Sequence, residues 1–444
     1  MKIGLIGSGG REHAMAKAFC RYPERDSLFV FASHRNPGIE LIATETVVGK
    51  LDDVSAIVNY FVAHRVDFVA VGPESPLMAG AVDALRSVGI PTVGANRAQA
   101  QIESDKHFMR RLMAEVVPWG SPKWTLVRSR QEAADFIDSV GEVAIKPTGL
   151  TGGKGVQVMG TQLMTIEDAL DYIDEWLVKD DVVLLEERLV GEEFSRMVFA
   201  SDGMIAAIPV AQDFKYAYEG DTGLMTGGMG SYTMADGSMS FLTAENLSQA
   251  DKLMSQVLQA LGEKSGAPYR GVLYGQFMVT ARGIRVIEFN ARLGDPEAIN
   301  VMTLLDGDPA QVFFDVACGQ LDPGTVRFVE KASLVKYIVP TEYPEQSIKG
   351  RQFVFDAARV EAAGFQMIYA SVQAGMDDIL ETLGSRTLAV VGLGDHPGTL
   401  CENMEYLLSE IQPEGLRHRV DIGSRSLIEQ KMAWMASLRR GESV

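Results

Sequence analysis

Four short apolar runs in the first hundred residues constrain the fold most: Lys2 to Ile6, Leu28 to Ala32, Asp67 to Val71 and Pro91 to Val93. Amphipathic stretches of helical pattern separate them, and this alternation predicts a parallel sheet covered by helices. A boundary is expected near Gly94 to Ala100. From there to about Phe328 the chain is glycine-rich, and Glu142 to Pro147, Val182 to Glu187, Val272 to Thr280 and Ile284 to Asn290 read as strands of antiparallel or mixed sheets. The last hundred residues, with strand-like Leu334 to Val339 and Thr387 to Gly392, predict a smaller α/β unit. The expected class is therefore α/β and α+β multidomain: an N-terminal parallel α/β domain over 1–102, a central domain over 103–328 with a lid at about 126–189, and a C-terminal α/β domain over 329–444. No repeat and no low-complexity segment interrupts this plan.

Charge narrows the partners. With 41 basic and 59 acidic side chains the net charge is −18, whereas sequence-independent binding to nucleic acid or anionic membrane needs surplus Lys and Arg. Anionic substrates would need local basic pockets. Cys20, Cys318 and Cys401 lie far apart and read as buried thiols in a reducing compartment. The first ten residues enter a strand and then glycines without the apolar core of a secretory signal, and no apolar run approaches the ~20 residues of a membrane span. These features predict a cytoplasmic protein with no nucleic acid and no membrane partner, and no feature of the chain predicts an obligate protein partner.

Two glycine loops stand at ends of the predicted parallel strands. Ile3 to Ile6 runs into Gly7-Ser8-Gly9-Gly10-Arg11-Glu12-His13, a strand, a glycine loop and a helix start whose N–H groups can hold phosphate. A dinucleotide fingerprint would need its third glycine at Glu12 and an acidic residue where Ser33, His34 and Arg35 stand, so a nicotinamide cofactor is disfavoured. Arg35 leaves room for a 2′-phosphate, and a tight turn with no ligand is the plain structural alternative. Gly72-Pro73-Glu74 ends another strand near the same sheet edge, where open α/β sheets bind ligands.

Thr148-Gly149-Leu150-Thr151-Gly152-Gly153-Lys154-Gly155-Val156 lacks the P-loop spacing, which would need glycine at Thr148 and a hydroxyl at Gly155. It reads instead as a glycine-rich hairpin able to fold over a triphosphate. Lys146, at the end of an apolar strand, would be costly to bury without an anion, and the neighbouring glycines favour phosphate over a lysine snorkelling outward. Further on, Tyr274 to Thr280 and Ile284 to Asn290 flank Ala281-Arg282-Gly283, which predicts a three-residue turn centred on Arg282. Gln276 then pairs with Glu288 and Tyr274 with Asn290. Glu288, Asn290 and Gln276 share one face, an oxygen-rich set that suits Mg²⁺ completed by water and substrate phosphate.

With these motifs in place the chain resembles the glycinamide ribonucleotide synthetases, phosphoribosylamine glycine ligases of the ATP-grasp type. The resemblance rests on Gly7 to Ala14, Gly72 to Leu77, Gly191 to Ser195, Gln212 to Lys215, Thr226 to Gly230, Gly271 to Tyr274 and Glu288 to Glu297, in family order. It implies ATP-driven condensation of glycine with 5-phosphoribosylamine through a glycyl phosphate, in purine synthesis, with Mg²⁺ or Mn²⁺. It implies ATP contacts at Lys106, Lys146, Gly152, Gly153 and Lys154, an adenine hinge at Glu186, Glu187 and Leu189, and a ribose contact at Glu193. Metal is implied at Glu288 and Asn290, with Gln276 an additional candidate. Phosphoribosylamine is implied at Gly9, Gly10, Arg11, Glu12 and Glu74, and the acyl-transfer site at Asp213, Arg292, Gly294, Asp295 and Pro296, with Lys146, Asp213, Arg292 and Asp295 as the catalytic set.

Three positions depart from the family pattern. Leu224-Met225 stands where proline-asparagine is common, Gln276 where an apolar residue is common, and Asp105 where a serine precedes the first lysine. Two alternatives remain: another ATP-grasp carboxylate-amine ligase, such as a biotin-dependent carboxylase, and a nucleotide-binding regulator without turnover, motivated by Met225.

Overall fold

The computed structural model describes residues 1–22, 24, 26–147, 155–376 and 379–442. At the N-terminus five strands, β1 (Lys2–Ile6), β2 (Ser27–Ala32), β3 (Glu45–Val48), β4 (Phe68–Val71) and β5 (Thr92–Val93), form a parallel sheet of order β3-β2-β1-β4-β5. Four of the five were legible as apolar runs. β3 was missed because it is an edge strand without a buried residue, and so carries no apolar run to read. The strand order reverses between β1 and β4, so the loops after them, Gly7–Gly9 and Gly72–Pro73, flank the crevice where such sheets take ligands.

The middle of the chain is built on an antiparallel sheet of Met204–Ala207, Gly191–Ser201, Arg270–Thr280 and Gly283–Asn290. The eleven-residue strand Gly191–Ser201 was quoted only as a motif, since Ser195 and Arg196 break its apolar pattern. Both are buried and satisfied: the Ser195 hydroxyl donates to the Ala211 carbonyl at 2.9 Å, and Arg196 pairs with Asp251 at 2.7 Å.

The lid has its own sheet, Trp124–Val127, Val183–Glu187, Val143–Pro147 and Gln157–Val158, and its own core, which includes Val127, Ile137, Ile145, Ile173 and Leu185. Val143–Pro147 and Gln157–Val158 run antiparallel on either side of the glycine-rich segment. Every other buried apolar side chain in a cluster belongs to one large core running from β1 to Met435. The C-terminal sheet explains that continuity. Gly230–Thr233 pairs with Ala332–Pro340, which pairs in turn with Leu388–Gly394, so strand pairing crosses residue 328 without a break.

The hairpin pairs as expected at its functional end but by a different route. Thr280 pairs with Gly283 across a two-residue turn, Ala281–Arg282, rather than a three-residue one, with Gly283 at φ +91°. A bulge at Ile287 then adds one residue to the second strand and restores Gln276 opposite Glu288 and Tyr274 opposite Asn290. The extra residue turns its carbonyl out of the ladder toward Lys146 (3.2 Å) and Arg110 (2.9 Å).

Because the lid core is separate, Leu185→Ala should cost about 2–5 kcal/mol locally. Amide hydrogen exchange should accelerate across the lid strands and stay unchanged in β1 and Arg270–Thr280. Uniform acceleration across the chain would contradict two independent cores.

Candidate active site

Lys146 ends a lid strand and is buried, as is Glu186 on the neighbouring strand. Lys146 Nζ donates to Glu186 Oε2 at 2.7 Å, and Arg110, fully buried on the helix Lys106–Val116, grips the same carboxylate through two bonds of 2.6 and 2.7 Å. Arg110 also donates to the Val286 and Ile287 carbonyls. Lid, helix and hairpin thus meet on one carboxylate. Two cations face one anion, leaving one surplus positive charge beside the cavity. Burial and the neighbouring Arg110 push the Lys146 ammonium below its ordinary range against the pull of Glu186, whereas Arg110 and Lys146 outweigh burial and hold Glu186 ionised.

Two adjoining cavities of about 320 and 290 Å³ share Lys146, Glu193, Asp213, Lys215, Met225 and Ile287 as walls. The first is lined by Glu186, Glu187 and Leu189. The Glu186 carboxylate is committed to the cations above, and the Glu187 carboxylate accepts from the Lys123 N–H at 2.9 Å. Glu193 accepts from the Gln276 amide at 2.8 Å. Lys106 lines the second cavity, donates to the Pro147 carbonyl at 3.3 Å, and begins a helix capped by Asp105. The departure at Asp105 therefore keeps the capping function a serine would have. Gly152, Gly153 and Lys154 lie outside the described residues.

Glu288 and Asn290 also line the second cavity, facing Lys106, Lys146 and Lys215. Lys215 Nζ stands 3.5 Å from Glu288 Oε1, and Asn290 Oδ1 accepts from Arg292 at 3.3 Å. Burial opposes the charge on Glu288, but Lys215, Lys146 and Lys106 together lower its pKa. Among the described residues no group of three or more His, Cys, Asp or Glu could hold a metal ion. One ionised carboxylate and one amide oxygen facing three lysines fit a divalent cation that arrives with phosphate oxygens. Gln276 is different. It is fully buried, lines neither cavity, accepts from the Tyr274 hydroxyl and donates to Glu193.

Three buried polar atoms of residues lining the second cavity have no hydrogen-bond partner among the described residues: Asp213 Oδ1, Glu297 Oε1 and Arg292 Nε. Burial and the nearby Glu297 raise the Asp213 pKa well above the carboxylate range. Arg292 is held by Glu103 at 2.7 Å and lies 3.5 Å from Glu74. A Cβ on Gly294 would lie 2.4 Å from Glu297 Oε2, and one on Gly228 would lie 2.0 Å from Asp213 Oδ1 and 2.4 Å from Pro296 Cδ. Glycine is required at both positions so that the acids can close on a small space. Met225 lines both cavities, while the loop after it is tied by backbone, Thr226 N–H to the Lys215 carbonyl at 2.7 Å.

The N-terminal loop divides into two parts. Glu12 accepts from the Gly9 N–H at 2.6 Å and from Arg11 Nε at 2.7 Å, and a Cβ on Gly7 or Gly72 would strike it. Those two glycines make room for a side chain of the protein itself. Arg11 reaches on to the Leu293 carbonyl at 2.9 Å, and Arg292 and Arg11 hold Glu74 below its ordinary pKa despite burial. Gly9 and Gly10 line a smaller cavity together with Asp295.

Sequence reasoning did not single out Arg110, Glu103, Lys215, Glu297 or Arg386 as site residues. Lys215 and Glu297 sat inside quoted motifs and could have been found there. Arg110 and Arg386 carried no local signal.

The phosphoribosylglycinamide synthetase N domain matches residues 1–103, and the ATP-grasp (A) domain of the same synthetase matches 104–298. The chain is 41% identical over 448 residues to the phosphoribosylamine–glycine ligase of Methanopyrus kandleri, covering 99% of each chain. The chain belongs to the phosphoribosylglycinamide synthetase family. A solved phosphoribosylamine–glycine ligase from Thermotoga maritima superposes with a TM-score of 0.76 at 23% identity, covering 95% of this chain and 100% of that one. The biotin carboxylase domain of the Hydrogenobacter thermophilus 2-oxoglutarate carboxylase, solved with MgADP, superposes at 0.67 with 15% identity, covering 99% and 95%. The fold is thus common to synthetases of this family and to carboxylases, and the sequence match separates them.

If Glu288 holds the metal and Gln276 only braces Glu193, Glu288→Gln should lower metal-dependent ATP turnover by roughly 100-fold or more, and Gln276→Ala by about tenfold or less. Titrating Mg²⁺ against turnover for both variants checks this. Equal losses at saturating Mg²⁺ would contradict the assignment.

Proposed function

We propose that this chain joins glycine to 5-phosphoribosylamine at the expense of ATP, releasing ADP, phosphate and glycinamide ribonucleotide in purine synthesis. The observation that carries this reading is the set of orphaned polar atoms among the residues of the lysine-lined cavity. Asp213 Oδ1 and Glu297 Oε1 are buried acceptors without a hydrogen-bond donor, and Arg292 Nε is a buried donor with only an ion-pair contact to Glu74 Oε2 at 3.5 Å. A small zwitterion satisfies all three, with its ammonium on the acids and its carboxylate toward Arg292 and the lysines. Gly228 and Gly294, having no Cβ, let the acids close in on a small space, which favours an amino acid without a side chain. The relatives' shared name supports the same substrates.

The chemistry follows from the charges. A carboxylate is a poor acyl acceptor, so glycine must first take the γ-phosphoryl group of ATP. Lys146 and Lys106 are assigned to the phosphates, since with Lys215 they set three ammonium groups against the single Glu288 carboxylate they face. A divalent metal, Mg²⁺ or Mn²⁺, bound at Glu288 and Asn290 would offset the charge meeting at the transferred group. Lys215, whose ammonium is held protonated by Glu288 and Glu193 despite burial, completes the cationic wall. Leu189 and the backbone at 186–187 are assigned to adenine and Glu193 to ribose.

The glycyl phosphate is sensitive to water, and the glycine-rich lid segment with Gly152, Gly153 and Lys154 is assigned to cover it. Phosphoribosylamine is assigned to the loop of Gly9, Gly10, Arg11, Glu12 and Glu74, with Asp295 and Pro296 between it and the acyl group. Its amine nitrogen attacks the carbonyl carbon, the C–N bond forms, phosphate leaves with the C–O electron pair, and the nitrogen loses a proton. The three-part division at 102 and 328 and a cytoplasmic location belong to the same proposal. No helix among the described residues is long and apolar enough to cross a membrane.

Phosphate release should require ATP, glycine and phosphoribosylamine together, and Met225→Asn should change kcat/KM by about tenfold or less, one neutral hydrogen bond being the most an amide could add. Phosphate release with bicarbonate in place of glycine would favour a carboxylase. An inactive chain rescued by Met225→Asn would favour the regulator.

A further inference from the structure

Beyond residue 298, outside both matched family segments, the chain supplies a cation to the reacting end of the cavity. Arg386 lies in the turn between Leu380–Leu383 and Leu388–Gly394. One terminal nitrogen of its guanidinium donates to the carbonyl oxygens of Gly228 (2.7 Å) and Asp295 (2.9 Å), and the other donates to the Asp295 carboxylate at 2.9 Å. The Tyr337 hydroxyl donates to the remaining Asp295 oxygen at 2.6 Å, and Arg386 Cζ lies 4.4 Å from the Tyr337 ring centroid. Three segments of chain therefore close on one guanidinium that is 15% exposed. Such a planar fork fixes direction as well as charge.

Asp295 is a wall of two spaces. It lines the lysine-rich cavity, and it also lines a cavity of about 130 Å³ beside Gly9, Gly10, His34, Ser371 and Ser385. Asp295 is the one carboxylate among the residues lining the smaller cavity, and both of its oxygens are turned onto Arg386 and Tyr337. What remains facing that space is the edge of the Arg386 guanidinium and the hydroxyls of Ser371 and Ser385. His34 is itself fixed, with Nε2 3.0 Å from the Ala370 carbonyl and Nδ1 3.1 Å from Ser8 Oγ. Asn36 ties the same strand end to the glycine loop, donating to the carbonyls of Ser8 and Tyr369 at 2.9 Å. The small cavity is thus a rigid pocket suited to an anionic group, next door to the acyl site.

We propose that Arg386 is a positioning residue joining the two cavities: by holding Asp295 and the Gly228 carbonyl in place, it aligns the amine of a phosphate-bearing acceptor with the activated acyl group. The inference rests on the ligase reading above. It has a consequence that a merely structural arginine would not have. When the amine is misaligned, water attacks the acyl phosphate instead, a C–O bond forms in place of C–N, phosphate leaves, and glycine is regenerated. ATP is then consumed without product.

The test uses the full chain, with phosphoribosylamine generated in situ from ribose 5-phosphate and ammonia, and reads ADP released per product formed. For Arg386→Gln this ratio should rise from about one to roughly three or more, with KM for the amine up by about tenfold and KM for ATP changed by less than about threefold. Arg386→Lys should recover the ratio in part, because a single ammonium cannot reach all three acceptors. Gly227→Ala gives a second route if Arg386→Gln does not fold. Its Cβ would lie 3.0 Å from Arg386 Cζ and Nε, displacing the guanidinium while keeping its charge, and it should uncouple in the same direction. A ratio that stays at one in these variants, with KM for ATP and amine rising together, would overturn the proposal. Failure of the unaltered chain to form product would overturn the ligase reading itself.

Discussion

The contact of Lys146 and Arg110 with the Glu186 carboxylate is the interaction on which the rest of the site depends. A buried carboxylate with two cations is costly to assemble and more costly to break. Each of its members comes from a different place: Lys146 and Glu186 from adjacent lid strands, Arg110 from the helix that begins at Lys106, and two further acceptors from the hairpin carbonyls at 286 and 287. Through it the lid, which has its own core, is registered against the hairpin that carries Glu288 and Asn290. The bulge at Ile287 is part of the same device, since the inserted residue turns a carbonyl toward the cations and puts Glu288 opposite Gln276.

A second set of contacts lines the same space in the opposite sense of charge. Near the lid the protein has a surplus of cations, and near Asp213 and Glu297 it has acceptors without donors. The adjoining cavities thus combine cations that suit phosphate with acids that suit an ammonium group. Arg292 lines the second of them, held by Glu103 and Glu74. The C-terminal sheet contributes because it shares strands with residues 212–233, so Arg386 and Tyr337 reach Asp295 from within the same core.

Much of this was legible in the sequence where local pattern and chemistry coincide. Lys146 stood out because it ends an apolar strand, and Glu288 and Asn290 because alternate residues of a strand share a face. The hairpin pairing came out right at Gln276 and Glu288 although the turn has two residues instead of three, because a turn one residue shorter and a bulge one residue longer cancel. A single inserted residue such as Ile287 leaves no periodic signature. Arg110 was not legible for a different reason: in an amphipathic helix an arginine reads as part of the solvated face, and only its partners, about 75 and 175 residues further on, reveal it as buried. Arg386 lies 91 residues from Asp295 in sequence, in a turn of ordinary composition. The glycines misled in part, since Gly7 and Gly72 make space for Glu12 rather than for a ligand.

Lys146 is held below its ordinary pKa first by burial and then by the Arg110 guanidinium beside it, against the pull of Glu186. Burial and Arg110 lower that pKa from 10.5 in the unliganded protein, and phosphate oxygens would raise it again, so nucleotide binding must take up protons in the interval between the two values. Isothermal titration of a non-hydrolysable ATP analogue with Mg²⁺ over a series of pH values up to 10.5, in two buffers of different ionisation enthalpy, measures that uptake directly. Net proton uptake is expected at some pH in that series for the unaltered chain and is lost in Lys146→Ala. Binding heats that do not depend on the buffer, or an equal uptake in the variant, would contradict it.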